Sequence, residues 1–271
     1  MPELPEVETT RRGLAPALEG RVLTRVVVRE RRLRWRLPAG FEAALAGCRV
    51  REVRRRAKYL LIATDRGTLI VHLGMSGSLR IVDPALAPQP HDHVDLLLDS
   101  GRAVRFNDPR RFGCLIFVAG DPLAHPLLRT LGPEPLSSEF DADYLYRRTR
   151  RRRVAIKQLV MNAAIVVGVG NIYASEALFR AGLRPQRAAG RLTRAEVVRL
   201  VAAIRRVLGA AIKVGGTTLR DYVNADGLPG YFRQKLFVYE RAGEPCRVCQ
   251  TPIRQRVQGQ RSTYWCPTCQ R

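Results

Sequence analysis

Residues 59–73 read Tyr-Leu-Leu-Ile-Ala-Thr-Asp-Arg-Gly-Thr-Leu-Ile-Val-His-Leu, two apolar segments separated by a polar turn. Each segment is short and rich in large aliphatic side chains, which is typical of a buried strand. The turn Asp65-Arg66-Gly67 suits a hairpin loop, because its glycine tolerates the backbone angles that such loops require. The stretch therefore predicts two neighbouring antiparallel strands.

The same pattern of short β segments and turns extends from about residue 21 to residue 118. Asp99-Ser100-Gly101 is a second hairpin loop of the same kind. The further predicted strands are Val22–Val28, Val50–Val53, Leu79–Val82, Val94–Leu98, Ala103–Phe106 and Cys114–Val118. Many short strands at close spacing favour a β-sandwich or barrel over alternating βαβ units.

Helical patterns lie on both sides of this β region. A helix is predicted over residues 5–19, with Pro5 at its first position and acidic residues at its positive end. Residues 119–137 are rich in proline and glycine and predict a linker, and the chain from about 138 to 225 has helical spacing. Thr193 and Glu196 form a capping box at the start of one of these helices.

The chain is strongly basic, with 47 Lys and Arg against 24 Asp and Glu in 271 residues, a net charge of +23. The charge recurs in Arg29–Arg36, Arg147–Arg153 and Arg254–Arg261, which indicates a basic folded surface rather than a basic tail. Nucleic acid is the favoured partner, ahead of an anionic membrane surface or a merely solvated arginine-rich exterior. With no apolar run of about 18 residues and no secretory signal, we expect a cytoplasmic protein.

Four of the six cysteines form a C-x2-C-x16-C-x2-C pattern near the C terminus: Cys246, Cys249, Cys266 and Cys269. Without a secretion signal, metal binding is favoured over disulfide bonds. Four thiolates in two knuckles predict one closed tetrahedral Zn²⁺ site, which is structural rather than catalytic. Cys48 and Cys114 lie alone in apolar surroundings and are predicted to be buried and unreactive.

The chain begins Met1-Pro2-Glu3. Methionine ahead of a small residue is normally removed, and Pro2 then carries a secondary amine. An α-amino group has a pKa of about 8, and it forms a Schiff base by attacking an electrophilic carbon. Pro2 alone is equally compatible with an ordinary chain start.

Several loops carry residues suited to nucleic acid, each with a simpler structural alternative. Residues 74–77 and 107–113 place Met75 and Phe112 beside glycines, which suits insertion into a base stack; core packing is the alternative. Residues 167–171 form a glycine-rich turn before a helix, with Asn171 as the predicted N-cap. Such a turn presents backbone amides to a phosphate, or simply connects two packed helices.

Taken together and in this order, these segments resemble the bacterial formamidopyrimidine-DNA glycosylases, which remove oxidised purines from DNA. The resemblance covers essentially the whole chain. The matching stretches are Pro2-Glu3-Leu4-Pro5-Glu6-Val7-Glu8, Arg56-Ala57-Lys58-Tyr59-Leu60, His72-Leu73-Gly74-Met75-Ser76-Gly77-Ser78-Leu79, His91-Asp92-His93-Val94-Asp95, Asp108-Pro109-Arg110-Arg111-Phe112-Gly113, Gly168-Val169-Gly170-Asn171-Ile172-Tyr173-Ala174 and the four terminal cysteines.

The resemblance implies an α+β multidomain fold. It comprises an N-terminal β-sandwich flanked by helices (residues 1–120), a linker (121–137), a helical helix–two-turn–helix domain (138–237) and a zinc-finger β-hairpin (238–271). It also implies damaged double-stranded DNA as the partner, one structural Zn²⁺ as the cofactor and no membrane. We expect a monomer associated with the bacterial nucleoid.

The resemblance further implies a bifunctional glycosylase and abasic-site lyase that works through a Pro2 Schiff base and β,δ-elimination. Glu3 would be the acid/base on the sugar, Lys58 the proton donor in β-elimination and Arg261 the group that holds the phosphate at the lesion. The implied DNA contacts are His91, Arg110, Arg152 and Asn171, and the implied void-filling residues are Met75, Arg110 and Phe112. The implied lesion-capping loop contains Thr217, Thr218, Arg220 and Tyr222, and Arg220 stands where the family commonly has lysine.

Two other functions stay open. An endonuclease VIII-like glycosylase shares the fold and the proline nucleophile but prefers oxidised pyrimidines; Leu4 and the complete Met75, Arg110 and Phe112 set favour the purine enzyme. A non-enzymatic zinc-ribbon DNA-binding protein would share the charge and the cysteines. A membrane-surface protein is disfavoured, because no basic amphipathic helix stands out.

Overall fold

The computed structural model describes residues 2–216 and 236–271. These residues form two compact units, one of residues 2–129 with 214–216 and the other of residues 130–213 with 236–271. None of the described helices is long and apolar enough to cross a membrane. The predicted domain bounds stay predictions.

The first unit contains two four-stranded antiparallel sheets, with strand orders β1-β6-β7-β5 and β2-β3-β4-β8. The strands are β1 Leu23–Val28, β2 Val50–Arg56, β3 Tyr59–Thr64, β4 Thr68–His72, β5 Ser78–Val82, β6 Asp92–Leu98, β7 Ala103–Asn107 and β8 Cys114–Val118. The hairpin predicted from residues 59–73 is β3–β4, with Leu61 opposite Ile70. The predicted β-sandwich is confirmed, and its alternative, a closed barrel, is wrong.

One apolar core joins the two sheets with the helices α1 (Leu4–Leu18) and α2 (Phe41–Leu45). Val7, Leu14 and Leu18 of α1 lie in this core, because their spacing puts them on one face of the helix. The helix begins one residue earlier than predicted, so that Pro5 occupies its second position. Proline is accepted there because the first turn has no internal partner for its missing N–H.

The second unit contains four α-helices among its described residues, α3 Ala142–Thr149, α4 Ile156–Val160, α5 Asn171–Ala181 and α6 Arg194–Lys213. The predicted capping box of α6 is present, with Glu196 accepting from the N–H of Thr193 at 2.8 Å and Thr193 Oγ1 accepting from the N–H of Glu196 at 3.3 Å. Helix α5 ends at Gly182, whose φ of +70° is accessible to glycine without steric cost.

The described C-terminal segment adds a two-stranded hairpin of β9 (Arg254–Gln258) and β10 (Arg261–Trp265). Its apolar cluster includes Ile253 and Tyr264 together with Phe179 of α5. Gln270 near the chain end donates to the carbonyl of Leu183 at 2.8 Å, just after α5. The cysteine module is thereby attached to the end of that helix.

Candidate active site and metal centre

The N-terminal end of α1 is buried and acidic. Pro2 is buried, and Glu3 and Glu6 are only 3% and 2% exposed. Glu6 accepts a hydrogen bond from the N–H of Glu3 at 2.8 Å, which ties the chain start to the first turn of the helix. A side-chain carbon added at Gly216 would lie 2.9 Å from Glu6 Oε1, so the backbone before residue 217 runs directly against this end of α1.

Lys58 lies in the two-residue turn between β2 and β3, where Arg56 and Tyr59 face each other as the last pair of the ladder. Ala57, the first turn residue, is buried and has a φ of +55°, the left-handed region that side-chain-bearing residues rarely adopt. Lys58 itself is partly buried.

His72, at the end of β4, faces the Lys58 turn. It is the register partner of Tyr59, and the two ring centroids are 4.9 Å apart. Burial, with the positive charges of Lys58 and Arg34, lowers the pKa of His72 from 6.5 to about 4. Its Nδ1 accepts the N–H of Gly74 at 3.0 Å, so the ring is neutral and carries its proton on Nε2.

The lowered pKa of His72 predicts a loss of stability in mild acid. The unfolded chain takes up a proton as the pH falls below 6.5, whereas the folded ring stays neutral until about 4. Folding is therefore destabilised progressively between these values, by about 3 kcal/mol at most. Denaturant unfolding of the wild type and of His72→Asn, which keeps an acceptor for Gly74, measures this effect. Parallel pH curves for the two proteins would contradict it.

The turn that carries Met75 packs against the loop that carries Arg110 and Phe112. Gly74 has a φ of +65°, and a side-chain carbon there would lie 2.5 Å from the carbonyl carbon of Phe112. Phe112 is 44% exposed and Arg110 covers its ring at 4.8 Å, so core packing is excluded for Phe112. The structure thus brings the three predicted void-filling residues onto adjoining loops.

Asp108 organises the second of these loops. Its side chain is fully buried, and Oδ2 accepts the N–H of Gly113 at 2.7 Å across the base of the loop. Burial raises the pKa of Asp108 in spite of the backbone N–H bonds it accepts. His93 Nε2 donates to the Asp108 carbonyl at 2.9 Å, whereas the predicted DNA contact His91 is exposed with a φ of +74°. The two histidines therefore have different roles.

In the second unit, the backbone carbonyl of Ser262 accepts hydrogen bonds from two side chains. One belongs to Asn171, a predicted DNA contact, and the other to Lys157, which the sequence did not single out. Asn171 Nδ2 donates to this carbonyl at 3.0 Å and Lys157 Nζ at 3.1 Å. Asn171 is the first residue of α5 and Gly170 the N-cap, so the predicted N-cap role of Asn171 is wrong. Its side chain is engaged by the β10 strand and by Tyr239 instead.

A cavity of about 200 Å³ lies between α4 and the β9–β10 hairpin. It is lined by Lys157, Gln158, Met161, Asn162, Gln258, Gly259 and Arg261. Arg261 is exposed, whereas Lys157 is only 1% exposed. The predicted DNA contact Arg152 is exposed and does not line this cavity.

The four terminal cysteines fit a zinc ion. A Zn–S bond of about 2.3 Å separates the sulfurs of a tetrahedral site by about 3.8 Å. The sulfur atoms of Cys246 and Cys269 are 3.9 Å apart, and Cys249 lies 3.4 Å from both Cys266 and Cys269. All four ligand atoms lie within 4.8 Å of one another. The site holds one structural Zn²⁺, as predicted.

The predicted capping residues Thr217, Thr218, Arg220 and Tyr222 lie outside the described residues. Sequence reasoning missed His72 and Lys157. The only signal for Lys157 was its place among the apolar residues Ile156, Leu159 and Val160, which predicts burial of the lysine stem. No local pattern marked His72, because its surroundings come from three separate segments.

Family models match most of the chain. Residues 1–115 match the formamidopyrimidine-DNA glycosylase N-terminal domain, and residues 131–223 match the formamidopyrimidine-DNA glycosylase H2TH domain. Residues 243–271 match the zinc finger found in FPG and IleRS. These three matches follow the order of sandwich, helices and cysteine hairpin described above.

Relatives match over the whole length of the chain. The formamidopyrimidine-DNA glycosylase of Thioalkalivibrio sulfidiphilus is 63% identical over 271 residues, and that of Stutzerimonas stutzeri is 58% identical, both covering 100% of each chain. The crystal structure of the MutM (Fpg) protein of Thermus thermophilus is 46% identical with a TM-score of 0.89, covering 99% of this chain and 98% of the other.

Structures with DNA are also similar. A Lactococcus lactis Fpg variant in complex with Fapy-dG-containing DNA is 31% identical with a TM-score of 0.93, covering 100% of both chains. A complex of Lactococcus lactis Fpg with abasic-site DNA is 31% identical with a TM-score of 0.92, covering 99% of both chains. The chain belongs to the formamidopyrimidine-DNA glycosylase family.

Proposed function

We propose that this protein excises oxidised purines, 8-oxoguanine and formamidopyrimidines, from duplex DNA and then cleaves the strand at the abasic site. The observation that carries the proposal is the buried Pro2–Glu3 pair directly before α1 in a chain of this family. A relative is named formamidopyrimidine-DNA glycosylase. The similar Lactococcus lactis structures contain Fapy-dG or abasic-site DNA. The basic charge of the chain and its zinc module support the same partner.

The proposed chemistry begins when the damaged nucleotide leaves the base stack, because its sugar carbon is inaccessible inside the duplex. The Pro2 nitrogen, freed by loss of Met1, bonds to the anomeric carbon while the glycosidic bond breaks and the base leaves with its electron pair. The nitrogen loses its proton and forms a double bond to the anomeric carbon, while the bond from that carbon to the ring oxygen breaks and the oxygen takes up a proton. The resulting iminium acidifies the neighbouring sugar proton. Loss of that proton expels the 3′ phosphate, and a second proton loss expels the 5′ phosphate.

Three side chains assist these steps in the proposal. Glu3 moves protons on the sugar, and it lies buried directly after Pro2. Lys58 donates the proton in β-elimination. Arg261, always charged, holds the phosphate beside the lesion and assists the second elimination electrostatically.

The remaining proposed contacts bind and hold the DNA. His91, Arg110 and Arg152 are all exposed, as phosphate binding requires. The side-chain amide of Asn171 donates to the carbonyl of Ser262 at 3.0 Å and, more weakly, to Tyr239 Oη at 3.4 Å. In the proposal, the more weakly bound N–H turns to a phosphate. Met75, Arg110 and Phe112 fill the gap left by the extruded nucleotide, and Thr217, Thr218, Arg220 and Tyr222 cover it.

We further propose that the protein acts as a monomer in the bacterial cytoplasm, in association with the nucleoid. Its bacterial relatives and its DNA substrate support this placement. A symmetric dimer is not needed, because a single lesion presents one site without two-fold symmetry.

Excision from two duplexes tests the proposed substrate. One duplex contains 8-oxoguanine opposite cytosine and the other thymine glycol, with borohydride added to trap the Schiff base. We expect faster excision and trapping on the 8-oxoguanine duplex. Faster excision of thymine glycol would favour the endonuclease VIII-like function, and binding without any trapped adduct would favour a non-enzymatic DNA-binding protein.

A further inference from the structure

Glu8, in the second turn of α1, is enclosed by arginines. Arg11 donates to both of its oxygens at 2.9 and 3.1 Å, and Arg12 donates to Oε1 at 2.9 Å. Arg55 of the neighbouring strand β2 donates to Oε2 at 3.2 Å. Burial raises the pKa of Glu8, but the arginines outweigh it and hold the pKa below its usual value. The carboxylate is therefore a fixed anchor on the helix that begins beside Pro2.

A second nitrogen of the Arg55 guanidinium donates to the turn that contains Lys58. Its Nη1 donates to the carbonyl of Ala57 at 2.9 Å, and this carbonyl belongs to the peptide that joins Ala57 to Lys58. One guanidinium thus bridges the helix that follows Pro2 and Glu3 to the backbone that carries Lys58. The side chains of Arg55 and Glu8 are 13% and 11% exposed, so water competes weakly for these bonds.

The turn needs such a bond, because Ala57 is in the left-handed region with a φ of +55°. This conformation costs an alanine about 1 kcal/mol or more. Ala57 is 3% exposed, so its backbone is confined on the other side by packing. A planar guanidinium with two fixed donors suits the bridge, whereas lysine has a single ammonium.

We infer that Arg55 is a positioning residue for Lys58, holding the Ala57–Lys58 peptide at a set place relative to the Pro2 end of α1. The inference rests on the proposed function, in which Pro2 forms the Schiff base and Lys58 delivers the proton for elimination. Arg55 touches neither DNA nor the reacting atoms in this role. Its effect passes through Glu8 on one side and the Ala57 carbonyl on the other.

The variant Arg55→Met removes both bonds, and Arg54→Met is the matched control. Arg54→Met removes the same charge from the same strand, but Arg54 is 54% exposed, and within the described residues its ion pair is with Glu52. Single-turnover β-elimination on a preformed abasic-site duplex is measured beside the rate of borohydride trapping. We expect Arg55→Met to slow elimination about 10-fold and to slow trapping by less than about 2-fold. We expect Arg54→Met to change the two rates slightly and to the same extent.

A double-mutant cycle with Lys58→Gln separates positioning from general damage to the fold. If Arg55 acts through Lys58, Arg55→Met has no further effect on elimination in the Lys58→Gln background. An equal slowing in both backgrounds, or an equal slowing of trapping and elimination, would overturn the inference. Should Arg55→Met fail to fold, Arg55→Lys carries the test, with a smaller loss of elimination that also disappears in the Lys58→Gln background.

Failure of the proposed function and failure of this inference give different results in the wild type and in the Lys58→Gln variant. A wild-type protein that forms no trapped adduct would refute the proposed function itself. A Lys58→Gln variant that eliminates at the wild-type rate would remove the proposed role of Lys58, and the inference with it. Wild-type trapping, a slow Lys58→Gln variant and an unaffected Arg55→Met variant would refute the inference alone.

Discussion

Replacing Pro2 with glycine is expected to lower both base excision and strand cleavage by at least about 100-fold, because the covalent intermediate is no longer well formed. Glycine also presents an amine, so the loss comes from the ring. A secondary amine gives an iminium with no N–H to lose, and this stays cationic as an electron sink. The buried proline ring also fixes the nitrogen against α1, whereas glycine leaves it free to rotate.

Single-turnover excision and borohydride trapping measure this effect, with thermal unfolding as the check on folding. A wild-type chain that retains Met1 is the sharpest control, since its Pro2 nitrogen is an amide without a reactive lone pair. Intact mass identifies which form is present. Full trapping by Pro2→Gly would show that the proline ring is dispensable, and any trapping by the Met1-bearing chain would disprove the assignment of the nucleophile.

Replacing Cys266 with serine is expected to reduce bound zinc from one ion per chain to nearly none and to abolish strand cleavage. Structural zinc contributes on the order of 10 kcal/mol to the folding of small modules. The hairpin depends on it, because β9 is exposed along most of its length and the apolar cluster beneath the hairpin is small. Loss of the ion therefore displaces Arg261 and the carbonyl of Ser262 together.

Zinc content, DNA cleavage and amide exchange of the hairpin measure this loss. Cys48→Ser is the matched control, because Cys48 is buried in the sandwich unit and donates only to the carbonyl of Ala44, a bond that serine preserves. We expect that variant to keep its zinc and its activity. Full zinc and full cleavage in Cys266→Ser would show that three cysteines suffice.

Much of the fold was predictable because its signals are local. The alternation of apolar residues and turns between residues 21 and 118 places seven of the eight strands within one or two residues, since strand period and turn chemistry act over a few neighbours. The exception is β2, which ends three residues later than predicted, at Arg56. The cysteine spacing predicts the metal centre for the same reason, because each knuckle is a short segment. Neither signal says which strands become neighbours in a sheet.

The candidate site was only partly predictable. The motif positions of Pro2, Glu3, Lys58 and Arg261 follow from the family resemblance, and their catalytic roles stay predictions. The neutral state of His72 was invisible, because it depends on burial and on the charges of Lys58 and Arg34. Asn171 was assigned to a cap from its position before a helix, whereas a strand 91 residues further along the chain takes its amide.

The amino-acid sequence by itself determined the order of sandwich, helices and zinc hairpin, the family and the basic charge that favours DNA, because these depend on composition, period and short spacing. Only the tertiary structure decided that Arg55 joins Glu8 to the Ala57 carbonyl, that Met75 and Phe112 lie on adjoining loops, and that Ser262 gathers Lys157 and Asn171. Each of these contacts joins residues through the packing of separate elements. Side-chain partners across such distances are chosen by the folded geometry, which no local pattern encodes.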